Sequence, residues 1–174
     1  SAAGIPTIAV LHGLSTAGGA YQQGMSDYVI GVKKNGMAAL AGPALLKAAT
    51  GEIAKNEELG GSEMHSRVTG LVEYLADDDA HAIEIVRDLI NKIDWNSKIL
   101  KRESIKFQEP IYDCEEIIGV VPIDYKVPYN VRELIARIVD SSDFMDFKPQ
   151  YGVSTVCVHT KINGFACGII GNLS

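Results

Sequence analysis

The chain has 174 residues, enough for one domain or for two incomplete ones, and a net charge of −6 with 16 basic residues. A hydrophobic fraction of 47% with 22% charged residues is ordinary for a globular protein, which excludes disorder and collagen-like structure. Basic residues form no run longer than a pair, as at Lys33-Lys34, and no apolar run reaches the ~18 residues that span a bilayer. Neither nucleic acid nor a membrane is therefore an expected partner.

Cysteine and histidine usage points away from disulfides and metals. No C-x-x-C occurs among the three cysteines (Cys114, Cys157 and Cys167), so reduced thiols of a cytosolic-type compartment are expected. The four histidines are scattered without metal-ligand spacing, and no metal site is predicted. The chain opens at Ser1 without a basic signal-peptide region, so we expect a processed or excised piece of a longer protein.

Strands and helices are predicted to alternate in the first half of the chain. Short apolar runs predict strands at 6–12, 28–32, 37–41 and 71–76. A glycine turn leads into a short helix at 20–23, Pro43 opens a second helix that stops at Gly51, and the acidic run at 77–79 caps a third that continues to Ile93. Residues 57–61 are expected to form a loop. This alternation is an α/β pattern.

The composition changes after Ile93. Residues 94–110 are polar and lose periodicity, which predicts a linker, and a second unit begins near Ile111. Asn130 followed by Glu133 predicts a helix start with a capping box, and an apolar face is expected through Val139. Asn163-Gly164 between two apolar runs predicts a β-hairpin. We therefore divide the chain into a first unit (1–95), a linker (96–110) and a second unit (111–174).

Gly18 and Gly19 are the strongest candidates for chemistry. They follow the first predicted strand at a helix start, where backbone N–H groups and the helix dipole suit a developing oxyanion. Ordinary turn formation is the competing interpretation of the same pair. Ser15 lacks the G-x-S-x-G spacing of a nucleophile elbow, and no glycine-rich phosphate loop occurs. His65 and His81 are expected on polar, solvated surface, and the acidic run at 77–79 is expected to be a solvated helix cap.

Ordered blocks of sequence cover nearly the whole chain, at residues 1–10, 15–21, 24–27, 40–43, 47–52, 58–67, 77–81, 131–133 and 164–172. These blocks resemble the carboxyltransferase β subunits of biotin-dependent acyl-CoA carboxylases. The stretch at 41–54 looks most like the methylcrotonyl-CoA and geranyl-CoA branch. His12-Gly13-Leu14 and Gln22-Gln23 depart from the family pattern.

The resemblance implies a crotonase-like (ClpP/crotonase) α/β fold. Residues 1–95 would be the C-terminal part of the acyl-CoA-binding N-domain, and 111–174 the N-terminal part of the biotin-side C-domain. Within the family, Gly18 and Gly19 would form a backbone oxyanion hole for the acyl-CoA thioester, with Ala17, Ala20 and Tyr21 binding substrate. The biotin-side pair would lie beyond Ser174, so the isolated chain is expected to be inactive and prone to association.

The resemblance also implies an activity and partners. A carboxyl group would pass from carboxybiotin to an acyl-CoA of the methylcrotonyl, geranyl or propionyl type. Biotin would be carried by a partner, the biotin carboxylase or biotin carboxyl carrier subunit. The parent would be a homo-oligomer, a hexamer with active sites built between two subunits, in the bacterial cytoplasm or the mitochondrial matrix.

Three alternatives stay open at the level of sequence. A biotin-dependent decarboxylase would run the same half-reaction in reverse. A crotonase-type hydratase, isomerase or thioesterase would need an acid or base near the thioester, for which Asp27 and Glu63 are the candidates. A non-enzymatic role as a folding or assembly module is the third.

Overall fold

The computed structural model describes residues 3–93, 106–124 and 126–173. The chain divides into two compact units, Ser1–Asp88 and Leu89–Ser174. Most of the linker predicted at 96–110 lies outside the described residues. The assignment of 1–95 and 111–174 to two domains of a longer subunit stays a prediction. Within the described part of the chain, no helix is long and apolar enough to cross a membrane.

Parallel strands joined by helices build the first unit, as the α/β pattern predicts. One sheet has the order β1-β3-β5, and β2 pairs with β4 in a second sheet; all pairs are parallel. A π-helical turn at His65–Thr69 precedes β5. The elements are β1 (Ile8–Leu11), β2 (Leu14–Thr16), α1 (Gly18–Gly24), β3 (Tyr28–Val32), β4 (Met37–Ala39), α2 (Pro43–Thr50), α3 (Asn56–Gly60), α4 (Ser62–Met64), β5 (Tyr74–Ala76) and α5 (Asp79–Ile93).

Local signals placed most of these elements. The strand at 28–32 is confirmed in full, and α2 begins at Pro43 and ends at Gly51, which adopts the left-handed conformation (φ 78°). The expected loop at 57–61 is wrong, because α3 occupies most of it and the Glu58 carboxylate accepts from the Lys55 N–H at its start (3.3 Å). The sequence did not predict β2, because three residues are too few to show the alternation of a strand.

β3 is the centre of the first core. Val29, Ile30 and Val32 are all buried, as expected for a parallel strand covered on both faces. Gly31 lies between them because α4 crosses so closely that a Cβ there would stand 2.6 Å from Ser62 Oγ. The remaining buried apolar side chains of this unit are Leu11, Met37, Ala38, Val72, Tyr74, Ala76 and Ala82.

Asp27 joins the loop after α1 to the start of β1. Its Oδ2 accepts from the Thr7 N–H (2.8 Å) and from Thr7 Oγ1 (2.9 Å). The hydrogen bond from the Thr7 backbone, and then that from its hydroxyl, hold the pKa of the Asp27 carboxyl below its ordinary value. The Asp27 carboxylate therefore stabilises this loop against the start of β1.

A three-stranded antiparallel sheet of order β6-β7-β8 dominates the second unit. The predicted hairpin is confirmed: Asn163 (φ 51°) and Gly164 (φ 80°) form its two-residue turn. Asp140 accepts from both turn N–H groups, at 2.8 and 2.6 Å. The elements are α6 (Ile117–Val120), α7 (Val131–Ala136), β6 (Phe144–Asp146), β7 (Thr155–Ile162) and β8 (Phe165–Asn172), with 3-10 turns at Cys114–Glu116 and Asp140–Ser142.

The helix start predicted at Asn130 is correct, but the capping box is wrong. The Asn130 side chain accepts from the Arg132 N–H (3.1 Å), whereas the Glu133 carboxylate turns to Arg137 (3.1 Å). A guanidinium one turn later competes for that carboxylate. The helix also ends at Ala136, before the predicted limit. The core of this unit consists of Val131, Ile135, Val139, Val156 and Val158.

The close approach at Gly31 is a sensitive test of this packing. Gly31→Ala should lower the free energy of unfolding by about 1–3 kcal/mol, because the new methyl group overlaps the Ser62 side chain in a buried site. Gly13→Ala is the matched control, since a Cβ at Gly13 meets nothing within 4 Å. Urea denaturation measures both. Equal stability of the two variants would contradict the close packing of α4 on β3.

Candidate functional site

The turn between β2 and α1 is held in an unusual backbone conformation. Ala17 has φ 50° and ψ −120°, which costs a residue with a side chain about 1–3 kcal/mol. Two hydrogen bonds enforce it: the Ala17 N–H donates to Ala39 O of β4 (3.1 Å), and Ala17 O accepts from the Ala20 N–H (3.0 Å). The chain thus reverses sharply at Ala17 and enters α1 at Gly18.

Gly18 and Gly19 present the first two N–H groups of α1. A helix offers no acceptor one turn earlier to its first residues, and neither N–H has a hydrogen-bond partner in the described part of the chain. A Cβ at Gly18 would meet nothing within 4 Å, so the space beside it is open. A Cβ at Gly19 would instead stand 2.8 Å from Ser15 Oγ, so a side chain there would displace the Ser15 hydroxyl.

Gln23 supports this turn from the buried side and is 7% exposed. Its carboxamide is satisfied when the nitrogen donates to Gly19 O (2.7 Å) and Ala20 O (3.1 Å) while the oxygen accepts from Ser15 Oγ (3.3 Å). Ser15 is thus a structural partner of Gln23, in keeping with the absence of a nucleophile elbow. The sequence showed Gln23 as a departure from the family pattern without indicating this role.

An apolar cavity of about 500 Å³ adjoins the turn. Three of the sequence-predicted residues, Ala17, Ala20 and Tyr21, line it, whereas Gly18 and Gly19 lie in the turn between them and do not line it. Small and aliphatic side chains make up nearly all of the wall, which suits an apolar ligand. The other lining residues are Ala38, Ala39, Leu40, Ala41, Leu46, Leu59, His65 and Leu71.

His65 corrects the expectation that this histidine lies on polar surface. It lines the cavity, with Nε2 at 2.7 Å from Ala38 O and Nδ1 at 2.8 Å from Thr69 Oγ1. His65 and Thr69 are the first and last residues of the π-helical turn. A local sequence pattern does not reveal such a turn, so the role of His65 was missed.

Neither carboxylate proposed for acid–base chemistry reaches the cavity wall. Asp27 is bonded to Thr7, and Glu63 is not a lining residue. Across residues 3–93, the titratable side chains that line this cavity are those of Tyr21 and His65, and both ring nitrogens of His65 are engaged by protein partners. No carboxylate therefore occurs among the described lining residues, and the N–H groups of Gly18 and Gly19 lie in the turn beside the cavity.

The acidic run after β5 is a helix cap, as predicted. Asp78 Oδ1 accepts from the His81 N–H (2.8 Å) at the start of α5. Asp77 pairs with Lys33, whose hydrogen bond and charge hold the pKa of the Asp77 carboxyl below its ordinary value. Asp79 Oδ1 lies 2.6 Å from His12 Nδ1. These contacts tie the carboxyl ends of β1, β3 and β5 together.

Comparison with known proteins identifies the class. The fold is crotonase-like, and the family model described as the carboxyl transferase domain matches residues 1–174. The chain therefore belongs to the carboxyl transferase domain family.

Individual relatives agree with this membership. The chain is 48% identical over 172 residues to a probable biotin-dependent acyl-coenzyme A carboxylase beta2 subunit of Mycobacterium tuberculosis, covering 99% of this chain and 32% of that protein. It is 42% identical over 187 residues to a probable mitochondrial methylcrotonoyl-CoA carboxylase beta chain of Drosophila melanogaster, with the same coverage. A transcarboxylase 12S structure with hydrolysed methylmalonyl-coenzyme A bound superposes with a TM-score of 0.83 at 32% identity, covering 97% of this chain and 33% of that one. The chain thus spans about a third of the length of these relatives.

The amide orientation of Gln23 predicts how its substitutions differ. Gln23→Glu would set a carboxylate oxygen against Gly19 O and Ala20 O in a buried site, whereas Gln23→Leu would only remove the hydrogen bonds. We expect Gln23→Leu to cost about 1 kcal/mol of unfolding free energy and Gln23→Glu at least about 2 kcal/mol more.

The two variants are measured by urea denaturation at neutral and at acidic pH. Their difference should shrink as the pH falls, because a protonated carboxyl group can donate to a carbonyl. Equal stability at neutral pH would show that the amide nitrogen does not face the two carbonyls.

Proposed function

We propose that this chain supplies the acyl-CoA side of a carboxyltransferase that moves a carboxyl group from carboxybiotin to an acyl-CoA. The observation that carries the proposal is the turn at Ala17, beside an apolar cavity, where no described residue pairs with the N–H groups of Gly18 and Gly19. The names of the relatives, which include biotin-dependent and methylcrotonoyl-CoA carboxylase subunits, support the same class of reaction.

The chemistry requires a place for negative charge. Removing a proton from the carbon activated by a thioester converts the thioester carbonyl into an enolate oxygen. Two backbone donors at the N-terminal end of α1 would stabilise that oxygen, and they need no reorganisation because the Ala17 hydrogen bonds already hold the turn. The open space beside Gly18 is what a thioester approaching these donors would fill.

The remaining components would come from outside this cavity. Carboxybiotin, delivered by a partner carrier, would supply the carboxyl group and, once that group has left, the base that accepts the substrate proton. This chain's residues would bind and orient the acyl group and stabilise the oxyanion. A lining without carboxylates agrees with such a division, because the protein itself need not provide a base.

The same lining argues against a hydratase or isomerase of the crotonase type. Those reactions need a positioned acid or base at the thioester. Asp27 is committed to Thr7, and the ring nitrogens of His65 are committed to Ala38 and Thr69. Transfer from an external carboxyl donor is therefore favoured over acid–base chemistry by the protein.

The cavity wall favours an apolar acyl group. Alanine and leucine side chains form most of it, among them Ala38 and Ala39 of β4 and Leu59 of α3. Methylcrotonyl-, geranyl- and propionyl-CoA are the acyl-CoA types within this proposal.

The assembly is also part of the proposal. We expect a homo-oligomer, hexameric and with active sites completed by a second copy, that works with a biotin carboxylase or biotin carboxyl carrier subunit. The transcarboxylase 12S structure is described as a hexamer assembly, which supports this expectation. Bacterial and mitochondrial relatives exist, and the bacterial cytoplasm or mitochondrial matrix is the compartment we propose.

Gly18→Ala in the full-length subunit tests the oxyanion role. The added methyl group meets no protein atom within 4 Å, so the fold should be unchanged, yet it would occupy the space beside the two donors. We expect transfer of carboxyl from carboxybiotin to acyl-CoA to fall roughly 10- to 100-fold.

Gly24→Ala is the matched control, because it makes the same change at the other end of α1, also with nothing within 4 Å. It should transfer at nearly the rate of the unmodified subunit. Thermal unfolding of both variants verifies that they fold. Undiminished transfer by folded Gly18→Ala would refute the proposed site.

A further inference from the structure

The carbonyl of Ala38 lies on the outer edge of β4. Among the described strands, β4 pairs with β2. Ala39 O points to the β2 edge, where it accepts from the Ala17 N–H (3.1 Å). Successive carbonyls of a strand point to opposite edges, so Ala38 O points away from β2. A Cβ at Gly60 would stand 2.3 Å from this oxygen, which shows how closely α3 approaches the same edge.

His65 provides the donor that a further strand would provide at this edge. Its Nε2 lies 2.7 Å from Ala38 O, and a carbonyl oxygen can only accept, so Nε2 carries the hydrogen. When the ring is neutral Nδ1 is an acceptor, and the Thr69 hydroxyl donates either to it (2.8 Å) or, at a longer distance, to His65 O (3.3 Å). Thr69 Oγ1 in turn accepts from the Leu71 N–H (3.3 Å).

With the Thr69 hydroxyl turned to Nδ1, these bonds form one chain with a single donor direction. It runs from the Leu71 N–H through Thr69 and His65 to the carbonyl of Ala38. Hydrogen bonds aligned in this way polarise and strengthen one another. Leu71, His65 and Ala38 all line the apolar cavity, so the chain of bonds follows its wall.

We propose that His65 is a positioning residue for the oxyanion turn. It fixes the edge of β4 at Ala38, and the next carbonyl of that strand, Ala39 O, holds Ala17 in the conformation that exposes the two glycine N–H groups. This inference rests on the proposed function, since it assigns His65 to the same site. His65 acts on the turn through β4 and needs no contact with the reacting atoms.

A displaced turn aims its donors poorly at the oxyanion, whereas the part of the cavity wall formed by Leu46 and Leu59 stays in place for the acyl group. Loss of the His65 bond should therefore lower kcat much more than it raises KM for the acyl-CoA. Misplacement of about 1 Å at a reacting centre costs up to about 100-fold in rate, so a fall in kcat of roughly 10- to 100-fold is expected for His65→Ala.

The variants separate the role of the donor from that of the ring. His65→Gln keeps a side-chain N–H that can reach Ala38 O and should recover most of the lost kcat. Thr69→Val keeps the shape of the threonine but removes the hydroxyl that orients the ring, so its loss should be intermediate. Thr50→Val is the matched control, because the Thr50 hydroxyl donates to Leu46 O on exposed α2, and it should leave kcat unchanged.

The experiment uses the full-length subunit with its biotin-carrying partner. It measures kcat and KM for the acyl-CoA, and it follows amide hydrogen exchange by mass spectrometry in peptides that contain Ala17. His65→Ala should speed exchange at Ala17, whose N–H is bonded to β4, and His65→Gln should restore protection.

Two results would overturn the inference. One is an unchanged kcat in folded His65→Ala; the other is failure of His65→Gln to restore both kcat and protection of Ala17. Should His65→Ala not fold, the same comparison is made between Thr69→Val and Thr50→Val, where equal kcat and equal exchange would overturn it. If the unmodified subunit transfers no carboxyl group, the proposed function fails, and the exchange data still decide the role of His65.

Discussion

The hydrogen bond from the Ala17 N–H to Ala39 O is the constraint on which the candidate site depends. It closes the pairing of β2 with β4 at the last register pair, Thr16 with Ala39, and the chain leaves the strand at Ala17. The backbone then has to reverse at a residue with a side chain, in a conformation that is sustained only when its surroundings over-determine it. As a direct consequence of that reversal, the N–H groups of Gly18 and Gly19 have no partner among the residues that the structure describes.

The surrounding residues stabilise this constraint from two sides. On the helix side, buried Gln23 links Ser15 to the first carbonyls of α1. On the strand side, His65 bonds the outer edge of β4. Neither residue needs to react, which is consistent with the proposed function, in which backbone N–H groups and an external carboxyl donor carry the chemistry.

Sequence reasoning succeeded where the signal was local. Asn163-Gly164 specified the hairpin turn, Pro43 and Gly51 bounded α2, and the acidic run capped α5. It failed for β2, because the pairing of Leu14–Thr16 with β4 is a non-local contact. It also placed a loop at 57–61, where α3 forms. Very short elements depend on such tertiary partners.

The candidate site divides in the same way. The glycine pair could be singled out because a strand, a turn and a helix follow one another in sequence, and resemblance to a family added the residues beside it. Gln23 and His65 could not be found by either route, because their partners are backbone carbonyls brought close by folding, and backbone groups leave no trace in a side-chain pattern.

The most direct test of the proposed oxyanion site is a crystal structure of the full-length subunit with an acyl-CoA bound. The measurement is the distance from the thioester oxygen to the backbone nitrogens of Gly18 and Gly19. We predict about 2.7–3.2 Å to both, with the acyl group in the cavity lined by Ala17, Ala20 and Tyr21. A thioester oxygen beyond hydrogen-bond reach of both nitrogens, in an otherwise unchanged turn, would contradict the proposed site.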